Sequence, residues 1–150
     1  MNEFFNVPKI AYEGANSKNM FAFRHYNPEE EICGKPMKEH LKFAMSWWHT
    51  LCGDGTDMFG IGTADKTFGG KTPMEVAKNK VLAGFEFMHK LGIEYFCFHD
   101  KDLAPEGNSL QEFQQNLDEI VPLIKEQMEK YHIKCLWGTA NLFNHPRYTH

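Results

Sequence analysis

The 150-residue sequence lacks the marks that would commit it to a membrane, to nucleic acid or to an oxidising compartment. No uncharged stretch approaches the ~18 residues that a membrane-spanning helix needs. A Lys/Arg-rich amphipathic helix, which would lie on a bilayer surface, is also missing. Basic charge is in the minority: 16 Lys and Arg stand against 20 Asp and Glu, a formal charge of -4. Such a chain offers no positive footprint to a phosphate backbone, so nucleic acid is not an expected partner. The opening MNEFFNVPKI has neither a basic nor an apolar leader region, and no secretory signal is expected. Cys33, Cys52, Cys97 and Cys135 form no Cys-x-x-Cys pair. Two of the four lie in apolar runs, where a thiol packs as a small hydrophobe, and a reducing cytoplasm is the expected setting. What is present is the composition of one ordinary folded domain or a piece of a larger one: 42% hydrophobic and 24% charged residues, with 7 Pro and 12 Gly. A domain of this length hides roughly two thirds of the surface that its unfolded chain exposes.

Residues 1–35 carry Pro8, Pro28, Gly14, Gly34 and several Asn without a sustained period, and read as an arm that lies against something else. Residues 36–52 are ambiguous. Met37, Leu41, Met45 and Trp48 share a helical face, yet FAMSWWHTL is also apolar enough for a buried strand. Residues 53–71 form a glycine-rich loop long enough to line a site or an interface. Thr72, Pro73 and Glu75 then predict a helix start: an N-cap, a proline in the first turn, and a carboxylate that bonds back to the cap. Ala77, Val81, Phe85 and Met88 make its apolar stripe, and Gly92 is placed for a left-handed C-terminal cap. IEYFCFHD follows, a continuous apolar run expected of a central strand covered on both faces. After a Pro/Gly loop at 103–108, Ser109 and Glu112 repeat the capping-box pattern. The stripe of the helix they open is Phe113, Leu117, Ile120, Ile124 and Met128, and Pro122 is expected to bend it. KCLWG is a third short strand, which TANLFNHPRYTH leaves as loop. Alternating strands and helices predict an α/β fold with a parallel sheet and right-handed crossovers. Ligand-binding residues are expected just beyond the carboxyl ends of its strands.

Two glycine motifs fail as nucleotide sites. GGKT at 69–72 resembles the end of a phosphate-binding loop, but the glycine required five positions before Gly70 is Asp65, and no strand feeds the segment. Gly53 and Gly55 lack the third glycine of a dinucleotide fingerprint, which is Met58. FHDKD, residues 98–102, is the strongest local signal. It sets His99, Asp100 and Asp102 at the carboxyl end of the central strand, where a histidine can move protons near neutral pH. A carboxylate on its Nδ1 proton would fix the tautomer and leave Nε2 for a substrate. Spacing alone does not choose between Asp100 and Asp102, and the same residues also read as a strand emerging into water. As metal ligands they are poor, since all three come from one short loop. Trp47, Trp48 and His49 mark a second strand end, and Trp137, Thr139, Asn141 and Phe143 a third. Aromatics in this number read as core or interface, or as a sugar site whose rings pack on C–H faces while Thr and Asn address hydroxyls. His25, His40, His89, His132, His145 and His150 have no partners at telling spacing and are assigned no chemistry.

Taken in order, YEG at 12–14, AFRHYNP at 22–28, WHT at 48–50, DMFGIG at 57–62, FEFMHKLG at 85–92, YFCFHD at 95–100, APEG at 104–107 and LWGTANLFNHPRY at 136–148 resemble one family. It is the bacterial xylose isomerases with a long amino-terminal extension, and the resemblance is to their amino-terminal part. The resemblance implies a (β/α)8 TIM barrel, of which this chain covers about the first three βα units: an arm at 1–35, then an incomplete barrel at 36–150. It resolves the ambiguous stretch as a short helix near 36–41 followed by a strand through FAMSWWHT. It implies an aldose–ketose isomerase that interconverts D-xylose and D-xylulose, and also D-glucose and D-fructose. Histidine-assisted ring opening would precede a hydride shift between C2 and C1, aided by two divalent cations (magnesium, manganese or cobalt). By position, His99 resembles the ring-opening histidine and Asp102 the carboxylate that orients it. Trp48, Thr139 and Phe143 resemble pocket walls. Phe59 resembles a phenylalanine that a loop inserts into a neighbouring subunit's site, in a homotetramer. The family's metal ligands lie beyond residue 150, so no metal site is expected in this chain, and the chain alone is expected to be inactive. A barrel of this kind takes ~250 residues, and three strands leave open edges that invite pairing. A noncatalytic fragment stabilised by self-assembly is one alternative. Another metal-dependent TIM-barrel sugar isomerase or a phosphodiesterase is a second, against which the WGTAN and FHDKD neighbourhoods favour xylose isomerase.

Overall fold

The structure is a computed structural model and describes residues 3–143. Ahead of the main sheet, regular elements are few, as the Pro, Gly and Asn content predicts. β1 (Glu31–Ile32) pairs antiparallel with β2 (Lys35–Pro36). Cys33 and Gly34 turn this hairpin with φ of 52° and 76°, the left-handed pair that a two-residue hairpin loop requires. α1 (Met37–His40) is a single turn, and β3 (Ala44–Ser46) follows. The short helix falls where the family resemblance puts it. The strand is shorter than expected, because Trp48–Cys52 winds into a π-helical turn closed by the Gly53 N–H on the Trp48 carbonyl at 2.8 Å. That turn tucks Trp47 and Leu51 into the core, where they are 0% and 2% exposed.

α2 (Pro73–Leu91) starts as its sequence predicts. The Thr72 Oγ1 accepts from the Glu75 N–H at 3.2 Å, and the Glu75 carboxylate accepts from the Thr72 N–H at 3.1 Å. Thr72 is therefore a helix cap and not part of a phosphate loop. Gly92 closes the helix in the left-handed region, φ 73°. Gly84 faces the core here: a Cβ on it would lie 2.7 Å from Leu51 Cδ1 and 3.3 Å from the Trp47 ring, so its bare backbone is what admits the tryptophan.

β4 (Tyr95–His99) runs directly into α3 (Asp100–Leu103), a one-turn helix where the sequence reading has strand end and loop. α4 (Leu110–Tyr131) is capped by Ser109, whose Oγ accepts from the Glu112 N–H at 3.1 Å. The second half of the predicted capping box is not made. Glu112 Oε2 instead accepts from the Asn108 N–H at 2.7 Å, because the left-handed Gly107 brings that amide into reach. β5 (Lys134–Thr139) completes the sheet.

The sheet order is β3-β4-β5, and both pairings are parallel. The α/β class and the parallel sheet are thus as expected, while no closed barrel forms among the described residues. β4 is the central strand, and its neighbours Phe96 and Cys97 are both buried although they point to opposite faces. All six residues of β5 are exposed, Cys135 among them. One core joins the sheet to α2 and α4 through Trp47, Val81, Phe85, Met88, Phe96, Ile120 and Ile124. No helix among the described residues is long and apolar enough to cross a membrane.

The amino-terminal segment around Phe4 and Phe5 is tied to α2 by a buried ion pair. Glu86 and Lys90 lie one turn apart with Oε1 and Nζ 2.8 Å from each other. The Glu86 carboxylate accepts from the Phe4 and Phe5 N–H groups at 2.9 and 3.1 Å, and Lys90 donates to the Phe5 carbonyl. Burial pushes the Glu86 carboxyl up, but the Lys90 ammonium and the two N–H donors outweigh it and hold the group below its usual range. A carboxyl depressed in the folded state adds stability above its unfolded value, near pH ~4.3, and loses it as pH falls through the lower folded value. We therefore expect the amide protection of Phe4 and Phe5 to fall in acid before that of the α2 interior. Glu86→Gln should produce the same loosening at neutral pH; hydrogen exchange that leaves both amides protected in the variant would show that the pair does not hold the arm.

Candidate active site

His99 is the last residue of β4, and the single turn of α3 brings the carboxylate three residues later back over it. Asp102 Oδ2 accepts from the His99 backbone N–H at 2.8 Å and lies 3.0 Å from Nδ1. A carboxylate oxygen only accepts, so Nδ1 carries a proton, and in the neutral imidazole Nε2 is then the nitrogen with the free lone pair. The side chains of His99 and Asp102 are 13% and 8% exposed, which is not a strand end dissolving into water. The open choice between the two aspartates thus falls to Asp102. Its helix is held from behind by Cys52, whose thiol donates to the Asp102 carbonyl at 3.6 Å. Burial pushes the Cys52 thiol up against the opposing pull of the Lys80 ammonium, 3.8 Å away, so the sulfur stays a neutral donor.

Three aromatic rings surround the imidazole. Trp48, from the turn after β3, lies 4.8 Å from it between centroids. Trp137, on β5, is 6.0 Å away and Phe143, beyond β5, is 5.3 Å away, both edge-on. Trp48 and Trp137 also contact each other at 5.6 Å. Thr139 is the register partner of His99. Gly138 makes this register possible, since a Cβ there would lie 2.5 Å from the Phe98 ring that crosses it. The three strand ends therefore converge, as expected for a parallel sheet. The outer side of the cluster is open, with Trp137 42% and Phe143 69% exposed.

The neighbouring tryptophan has a different fate. Trp47 is core, packed on Phe85 and Phe96, and its indole N–H has no partner among the described residues. His49 is exposed beside Trp48. Trp137 belongs to the sugar-site reading of the strand ends, although the family resemblance does not put it among the pocket walls. The available signal was its position two residues before Thr139, which puts both on one face of a strand. Phe59 is not brought to His99 by this chain: it is 89% exposed at the tip of the glycine-rich loop, with Met58 and Ile61 beside it. That tip is pinned internally by Asp54 Oδ1 to the Thr56 N–H at 2.9 Å, Asp57 Oδ1 to the Phe59 N–H at 2.8 Å, and Thr56 Oγ1 to the Gly62 N–H at 2.9 Å. His145, His150 and the end of LWGTANLFNHPRY lie outside the described residues. A groove of about 530 Å³ lies elsewhere, between the amino-terminal segment, α2 and α4.

The donor set does not suit a metal. Among the described residues, no group of three or more His, Cys, Asp or Glu is placed to hold an ion. Asp102 is committed to His99, and Asp100 Oδ1 accepts from two backbone N–H groups, those of Lys101 at 2.8 Å and Asn141 at 2.9 Å.

No protein-family model matches the chain. Among curated relatives, proteins named xylose isomerase match it almost end to end. That of Listeria welshimeri is 60% identical over 148 residues and that of Tetragenococcus halophilus 57% over 148, each match covering 99% of this chain and 34% of the relative. That of Enterococcus faecalis is 59% identical over 145 residues, covering 97% of this chain and 33% of the relative. The chain thus spans about one third of the length of the curated relatives it matches. Identity at this level along the whole chain, with FHDKD and WGTAN meeting at one cluster, places the chain in the xylose isomerase family, as a match to its amino-terminal portion.

Proposed function

We propose that the chain is the amino-terminal part of an aldose–ketose isomerase acting on D-xylose and D-xylulose, and on D-glucose and D-fructose. Its own share of the chemistry is opening of the sugar ring by His99. The observation that carries this reading is the His99 Nδ1 to Asp102 Oδ2 contact of 3.0 Å inside a ring of aromatic side chains. Opening a pyranose moves the anomeric hydroxyl proton to the ring oxygen. Nε2 takes and returns that proton, while Asp102 holds the imidazole in place and stabilises its protonated form. Trp48 and Phe143 present apolar faces to the C–H surfaces of the sugar, and Thr139 offers a hydroxyl.

In this reading residues 1–35 are an arm, and residues 36–150 begin a (β/α)8 barrel whose next strand pairs with the exposed edge of β5. By the family resemblance, the two divalent cations would be held by residues beyond residue 150. The preset, apolar tip around Phe59 supports its insertion into the pocket of a second copy, in a homotetramer. Four free thiols are in keeping with a cytoplasmic setting. No sugar turnover is expected from the 150-residue chain by itself.

In the full-length protein, His99→Gln should slow turnover of cyclic sugar by about 10²-fold or more, the range of general acid–base catalysis, and turnover of sugar delivered in open-chain form far less. Equal losses on both substrates would remove His99 from ring opening. For the loop, Phe59→Ala should lower turnover of the assembled protein about tenfold with subunit number unchanged by sedimentation, as for an aromatic anchor at an interface. Unaltered turnover would take Phe59 out of the site.

A further inference from the structure

Two carboxylates flank His99, and the second has no part in the proton transfer described above. Asp100 opens α3, next to the histidine, and its Oδ1 accepts from the Asn141 N–H at 2.9 Å, across 41 residues of sequence. The same oxygen accepts from the Lys101 N–H at 2.8 Å. Asn141 is 7% exposed, so its amide is withdrawn from water and needs a protein acceptor. A carboxylate is a stronger acceptor than a carbonyl, and this one sits where the strand ladder stops: the β4–β5 pairing ends at His99 and Thr139. β5 has no strand on its other side among the described residues. Two residues beyond Asn141, Phe143 makes its edge-on contact with the imidazole at 5.3 Å.

We propose that Asp100 is a positioning residue of the His99 site, which holds the segment after β5, and with it Thr139 and Phe143, against the imidazole. The proposal rests on His99 acting in ring opening. Asp102 orients the imidazole, and Asp100 sets the opposite wall of the pocket. Because a wall holds the sugar without transferring its proton, losing the tie weakens binding more than chemistry.

The test uses the full-length protein with its metal supplied, and the variants Asp100→Ala and Asp100→Asn. Asp100→Ala should raise KM for xylose about tenfold with kcat changed less than about threefold. Asp100→Asn keeps a carbonyl oxygen for both amides and should bring KM back to within about threefold of the unsubstituted protein. An unchanged KM in Asp100→Ala, a loss confined to kcat, or no rescue by Asn would each overturn the proposal. If Asp100→Ala does not fold, Asp100→Glu keeps the charge but displaces the acceptor by one methylene, and an unchanged KM there overturns it equally. A second readout does not depend on turnover. The Phe143 ring offsets the His99 ring-proton resonances, and Asp100→Ala should shift them in the same direction as Phe143→Ala. Unmoved resonances would defeat the positioning role even in a protein that turned over no sugar. Absent xylose turnover in the unsubstituted full-length protein, with the resonances shifted as expected, would instead remove the functional reading and leave the tie in place.

Discussion

The parallel pairing of β4 between β3 and β5 is the constraint on which the rest depends. Parallel strands point their carboxyl ends the same way, so three segments far apart in sequence deliver their terminal residues to one edge. Phe96 anchors this arrangement. It is fully buried on the central strand, packs on Trp47 and Phe85, and thereby joins the turn after β3 to β4 and α2 in one contact set. Register then follows from side-chain volume, since a one-residue slip would carry Phe96 to the other face of the sheet and drive the Phe98 ring off Gly138.

On that frame the histidine cluster needs little further apparatus. A one-turn helix places Asp102 on both the backbone and the ring of His99, and a half-buried thiol steadies the helix from behind. The aromatic rings lower the local dielectric around the pair, and the carboxylate prevents the imidazole from rotating to meet a different partner. Polar groups and rings here are interdependent. The carboxylate would be costly in so apolar a setting without its two donors, and the imidazole would have no fixed tautomer without the carboxylate.

Much of the fold could be read from the chain because its signals are local. The Thr72–Glu75 cap, the stripe of α2 and the left-handed Gly92 depend on residues within a few positions of one another, and all three form as the pattern requires. Where distant atoms compete, the local rule was overridden. Glu112 left its expected cap partner for an amide that the Gly107 turn brought closer, and β3 ended early because burying Trp47 and Leu51 required a turn. α3 leaves no mark in the sequence pattern because four residues are too few for any helical period to register.

The candidate site divides the same way. Residue order alone determined that a histidine followed by two aspartates would end an apolar strand, and that aromatic residues would end two others. It also determined the family, since long blocks in one order carry that information without any coordinates. Only the tertiary structure decided which aspartate meets the imidazole, which of two adjacent tryptophans packs beside it, and that Trp137 does so as well. The reason is physical: those choices turn on directions and distances between side chains from different strands, and sheet pairing, not sequence spacing, sets them.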